Sequence, residues 1–121
     1  MERELIALLW PAGFACIRSA GSGRTRHPNP DILAANGRSV YAIECKSSAQ
    51  DEIRFEKSQL DDLVSFSVFF NARPVVAVRF NHNGWLFLTP ERLERTESGN
   101  VKISMDHAKA NGLPFDVFFK S

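Results

Sequence analysis

The spacing of apolar and polar positions divides the chain into short, recognisable elements. Residues Glu2 to Trp10 carry Leu5, Ile6 and Leu9 at helical intervals, which predicts a short amphipathic helix. Phe14 to Arg18 predicts a strand, followed by a loop rich in glycine, serine and proline from Ala20 to Pro30. Two further strands are expected at about Asp31–Ala35 and Val40–Lys46, separated by Asn36-Gly37, a strong short-range hairpin signal. A second helix should run from about Glu56 to Asn71. Pro74–Phe80 is a continuous apolar run of the kind found in strands buried on both faces. Gly84–Leu88 is expected to pair with it through a turn at Asn81–Asn83. Pro90 should open a helical turn, Asn100–Ile103 a short strand, and Ser104–Asn111 a last helix. Helices and strands mixed in this order predict an α/β fold, a central mixed sheet flanked by helices.

Composition narrows the class. A chain of 121 residues supports a single domain, residues 1–121, with 44% apolar and 24% charged residues, as in ordinary globular proteins. No apolar run approaches the roughly eighteen residues of a membrane span. Glu2 and Glu4 stand where the basic region of a secretion signal would be, so a cytoplasmic protein is expected. The two cysteines, Cys16 and Cys45, lie inside apolar runs and read as reduced, buried thiols. Net charge is only +1, but Arg18, Arg24, Arg26 and His27 occur between Arg18 and Pro30 without one acidic residue. That local excess suits either a loop that contacts phosphates or an ordinary solvated loop.

The chemistry concentrates in Asp31, Glu44 and Lys46. Side chains alternate along a strand, so Glu44 and Lys46 share a face with Ala42. A two-residue turn at Asn36-Gly37 pairs Asp31 with Ala42 and makes Asp31 a diagonal neighbour of Glu44, at roughly 7–8 Å. A four-residue loop puts Asp31 directly opposite Glu44. Only an odd register separates the two carboxylates. Two acids and an ammonium on one face either form a surface salt bridge or hold a divalent cation that offsets their repulsion. Hard carboxylate oxygens suit Mg²⁺. Pro30 removes a ladder donor and places Asp31 at a strand end, while Tyr41, Ile43 and Cys45 on the other face offer an apolar layer to the core.

Pro30-Asp31 followed by Glu44-Cys45-Lys46 resembles the PD-(D/E)XK pattern of the restriction-endonuclease-like superfamily. Glu2-Arg3-Glu4-Leu5, the segment from Gly13 to Gly23, Pro30-Asp31-Ile32 and Ile43-Glu44-Cys45-Lys46-Ser47 together resemble the archaeal-type Holliday junction resolvases, the Hjc family. The resemblance extends from residue 2 to about residue 88, including Gly84-Trp85. It implies a restriction-endonuclease-like core and a DNA endonuclease that resolves four-way junctions by metal-dependent hydrolysis. Mg²⁺, with Mn²⁺ as a substitute, would be held by Glu2, Asp31 and Glu44, with Lys46 as the fourth catalytic residue. Arg3, Arg18, Ser22, Arg24 and Arg26 would contact DNA. On local grounds Glu2 also reads as a first-turn carboxylate favouring the helix dipole. The family carries a basic stretch ahead of this glutamate, whereas the sequence here starts one residue before it.

Ten phenylalanines need burial. Leu60, Leu63, Val64, Phe66, Val68, Phe69 and Phe70 wrap around more of the second helix than one core covers. A homodimer would cover it and would present two active sites to the two strands of a junction; the sheet and C-terminal segment enclosing the helix is the alternative. Phe115, Phe118 and Phe119 resemble the apolar half of a sliding-clamp-binding peptide, with Gly112 where a glutamine is usual, and also suit a docked terminal strand or a dimer contact. Trp10 and Trp85 are expected as core anchors. His82 and His107 show no metal-ligand spacing. Two other functions compete with the resolvase. One is a nuclease of the same fold with another DNA substrate, nicking or restriction-like, although the chain is too short for a separate target-recognition domain. The other is an inactive DNA-binding or clamp-associated module, which leaves Asp31, Glu44 and Lys46 together without a purpose.

Overall fold

The computed structural model describes residues 1–19, 29–81 and 83–120. Its elements in chain order are α1 (Glu2–Leu9), β1 (Ala15–Arg18), β2 (Ile32–Ala35), β3 (Val40–Ser48), β4 (Glu52–Phe55), α2 (Lys57–Phe70), β5 (Arg73–Phe80), β6 (Leu86–Leu88), a 3-10 turn (Pro90–Arg92), β7 (Glu94–Arg95), β8 (Val101–Ser104), α3 (Met105–Asn111), β9 (Leu113–Pro114) and α4 (Phe115–Phe118). The main sheet has six strands in the order β1-β2-β3-β5-β6-β9, and a smaller sheet has the order β4-β8-β7. β3 and β5 run parallel at the centre, joined by the β4–α2 crossover; the other pairings are antiparallel. The expected mixed sheet flanked by helices is present.

Both faces of the central strands of the main sheet are covered, and this explains the apolar run in β5. One core joins Leu5 and Leu9 of α1 to Tyr41, Ile43, Cys45, Val75, Ala77, Phe87 and Phe119. The second joins Leu60 and Leu63 of α2 to Ala42, Val76, Val78, Leu88, Ile53, Phe55, Val101 and Ile103. Alternate residues of β5 thus enter opposite cores, so no polar residue is tolerated between Val75 and Val78. The face of β3 bearing Glu44 and Lys46 is therefore not simply a charged side, because its Ala42 end is sealed beneath α2.

The hairpin between β2 and β3 takes the four-residue form. Ala35 pairs with Val40 and Ile32 with Ile43. The Asn36 side-chain oxygen accepts the N–H groups of Arg38 at 2.9 Å and Ser39 at 2.8 Å, and Gly37 adopts φ +90°. The second helix ends at Asn71 in the left-handed conformation, φ 56°, a usual helix stop. Ser104 caps α3 by accepting the His107 N–H at 3.0 Å.

Two expectations near the termini need correction. Ser104–Asn111 does not contain the last helix, since α4 follows it. Trp10 is 55% exposed and anchors nothing, whereas Trp85 is buried as expected. Phe115, Phe118 and Phe119, read either as the apolar half of a clamp-binding peptide or as a docked terminal segment, lie against the fold. They stack with one another and with Phe87 in the first core, at centroid distances of 4.9–5.9 Å. Gly112 answers to packing as well. A Cβ there would lie 2.6 Å from the Ala108 carbonyl oxygen, so a glutamine does not fit. Among the described residues no helix is long and apolar enough to cross a membrane. Phe119→Ala should cost about 3–5 kcal/mol in chemical denaturation; a loss below about 1 kcal/mol would show that the C-terminal turn is not part of the core.

Candidate active site

The register of β2 on β3 continues one step beyond Ile32–Ile43 to bring Asp31 opposite Glu44. Asp31 is the bend residue before β2, and its carbonyl accepts the Ser19 N–H at 2.8 Å, which ties it to the end of β1. Its carboxylate Oδ2 accepts the backbone N–H of Cys45 at 2.8 Å. Cys45 is the residue between Glu44 and Lys46, so one hydrogen bond fixes Asp31 against both. Cys45 itself is buried, with its side chain in the core on the other face and its thiol pKa pushed up by burial and by the charges of Asp31, Glu2 and Glu44.

Electrostatics at this point are strained. Burial raises the Asp31 carboxyl above its ordinary value against the pull of the Cys45 N–H; Glu2 adds to the rise, while Lys46 and Arg18 oppose it. Glu44 goes further, to about 7, first through burial and then through the negative charge of Asp31. Lys46 counters only in part, with its Nζ 3.6 Å from Glu44 Oε2 and the two side chains 22% and 19% exposed. Glu2 comes from α1, which packs on the opposite face of the sheet, yet its charge acts on Asp31 and Glu44. Its carboxylate lies 3.7 Å from Arg18 Nε. Arg3 is exposed on α1. Ser22, Arg24 and Arg26 lie outside the described residues.

As the side chains stand, no three His, Cys, Asp or Glu groups among the described residues are gathered closely enough to hold an ion together. The donor chemistry nevertheless fits a hard divalent cation. Three carboxylates act on one another, two of them resist ionisation, and partly buried like charges are stable together only when a cation offsets them. The sequence missed two neighbours of the lysine. Lys46 Nζ donates to Gln59 Oε1 at 2.6 Å and stands 4.9 Å from the Phe55 ring centroid. Glu52-Ile53-Arg54-Phe55 does alternate charged and apolar residues, a four-residue strand signal that could have located Phe55.

The raised Glu44 gives a pH signature. Without metal, the folded state keeps a proton that the unfolded chain releases between about pH 4.5 and 7. Stability is therefore fully present below that window and falls as pH rises through it. In EDTA, denaturation should show a decline on the order of 2 kcal/mol from pH 5 to 8. Glu44→Gln should flatten most of it; an unchanged slope in that variant would assign the pH dependence elsewhere.

Comparison with known proteins follows the same lines. The family model described as archaeal Holliday junction resolvase (hjc) matches residues 1–121. The crossover junction endodeoxyribonuclease Hjc of Archaeoglobus fulgidus is 43% identical over 102 residues, 84% of this chain and 74% of the relative. The Hjc of Methanocaldococcus jannaschii is 39% identical over 94% of this chain and 80% of the relative. A solved structure of the Archaeoglobus fulgidus Hjc, described as a Holliday junction resolvase from an archaeal hyperthermophile, superposes with a TM-score of 0.85 at 40% identity. It covers 93% of this chain and 92% of the other.

Proposed function

Since the chain belongs to the archaeal Holliday junction resolvase family, we propose that it cuts four-way DNA junctions through the acidic cluster of Asp31, Glu44 and Glu2. The observation that carries this reading is Asp31 bonded to the Cys45 N–H and thereby held against Glu44 and Lys46. Asp31 and Glu44 would hold Mg²⁺, or Mn²⁺ in its place, with Glu2 completing the set from α1. When bound, the cation would polarise the scissile phosphate and lower the pKa of a water, supplying the nucleophile. Lys46 carries a fixed positive charge at the same point, placed to orient that water and to stabilise charge developing on the phosphate. Arg18, beside Glu2 at the end of β1, puts a second cation at the rim of the cluster, where a phosphate of the cut strand would be met. Arg3, Ser22, Arg24 and Arg26 would extend that contact along the backbone.

Cutting both strands of a junction needs two such sites, and the surface of α2 supports a homodimer. Leu60 and Leu63 face the second core, but Val68 is 72% exposed and Phe69 92% exposed. Phe66 stacks on Phe70 at 5.2 Å. Ile17 on the edge strand β1 is 69% exposed and borders a shallow pocket of about 190 Å³ that includes Leu33 and Phe66. The C-terminal aromatics do not enclose this patch, because Phe119 joins the core that α1 covers. Exposed apolar side chains of this kind support an interface here, and a twofold axis through it would pair two identical sites.

The direct test is cleavage of a four-way junction beside duplex and single-stranded controls, with Mg²⁺ and with EDTA. Paired cuts in the junction alone are expected, abolished by EDTA and slowed about a hundredfold or more in Asp31→Asn. Cutting that survives chelation would refute the metal, and equal cutting of plain duplex would refute junction selectivity. Phe69→Asp should convert the protein from dimer to monomer in sedimentation at micromolar concentration while keeping the wild-type circular dichroism spectrum; a wild type that is already monomeric would remove the dimer.

A further inference from the structure

A lysine ammonium sits on a flexible four-carbon stem, and its use at a reacting centre depends on what holds it in place. Lys46 Nζ has three neighbours among the described residues: Gln59 Oε1 at 2.6 Å, Glu44 Oε2 at 3.6 Å and the Phe55 ring centroid at 4.9 Å. The nearest is the neutral amide and not the carboxylate. Gln59 therefore takes one N–H of the ammonium without cancelling its charge, and it keeps Lys46 from closing onto Glu44.

The backbone around Gln59 is built to hold it there. β4 ends at Phe55, whose ring is buried against the second core. The chain turns at Glu56, whose carbonyl accepts the Gln59 N–H at 3.0 Å. Asn100, just ahead of β8, accepts the Lys57 N–H on its Oδ1 at 3.0 Å and so pins the first turn of α2 to the small sheet. Gln59 is itself exposed and fills no core position, which leaves its contact with Lys46 as its main structural relation. We propose that Gln59 is a positioning residue for Lys46. It fixes the ammonium over Phe55 so that the remaining N–H donors face the reacting phosphate and water.

This inference rests on the catalytic role of Lys46, and the test separates the two. Gln59→Met keeps length and removes the acceptor; Gln59→Glu restores an acceptor oxygen. With enzyme in excess over a four-way junction and saturating Mg²⁺, Gln59→Met should slow single-turnover cleavage about ten- to a hundredfold. Gln59→Glu should recover only part of that rate, because it holds the ammonium while partly offsetting its charge. Both variants should bind the junction in EDTA within about twofold of wild type, so the loss lies in the chemical step and not in affinity. In a Lys46→Ala background, Gln59→Met should cost no more than about twofold further, because the group it positions is gone. Wild-type cleavage by Gln59→Met, a Gln59→Glu enzyme as slow as Gln59→Met, or an undiminished loss in the Lys46→Ala background would each overturn the inference. Wild-type cleavage by Lys46→Ala would overturn the role of Lys46 instead.

Discussion

The register of β2 against β3 is the constraint on which the site depends. The loop from Asn36 to Ser39 pairs Ala35 with Val40, and every pairing after that follows, ending with Asp31 opposite Glu44. A slip of one residue would turn Asp31 to the α1 side of the sheet and push Ile32 and Ala34 into the wrong core. The register is therefore held at both ends, by the side-chain oxygen of Asn36 at the turn and by the Asp31–Cys45 hydrogen bond at the site. Folding and chemistry share this one alignment, since the two cores that specify it also decide which carboxylates meet.

What the alignment brings together is unfavourable by itself. Asp31 and Glu44 are partly desolvated and repel each other, and one lysine does not balance them. The fold tolerates this because the β-sheet beneath is rigid and buried on both faces, with Val75, Val76, Ala77 and Val78 fully enclosed. Stability from those cores offsets the strain at the sheet end, and the strain in turn favours a cation.

The small sheet has a larger part in the site than its size suggests. Glu52–Phe55 is a strand of four residues, and only pairing with β8 makes it one. Its burial supplies Phe55 under Lys46, and its link to α2 delivers Gln59. Neither contact is visible in the linear order, because Gln59 and Lys46 are separated by a strand and a turn. The alternation of Glu52 to Phe55 marks a short strand, but its pairing with β8 and its place under Lys46 are set by tertiary structure.

Sequence alone pointed to the main elements, the buried core strand and the convergence of Asp31, Glu44 and Lys46 in two of three plausible registers, because side-chain alternation and turn chemistry act over a few residues. It also marked α2 as more apolar than one core can use, and Val68 and Phe69 are indeed on the surface. It misjudged Trp10, missed α4 and left the hairpin register open among three forms, one of which would have separated the carboxylates. Those were decided by tertiary structure. Whether Trp10 or Phe119 is buried depends on which distant strands pack beside it, and the choice of the four-residue loop depends on two cores filling at once. Burial raises the Asp31 and Glu44 pKa values for the same reason: desolvation is a property of everything packed around a group and not of its neighbours in the chain.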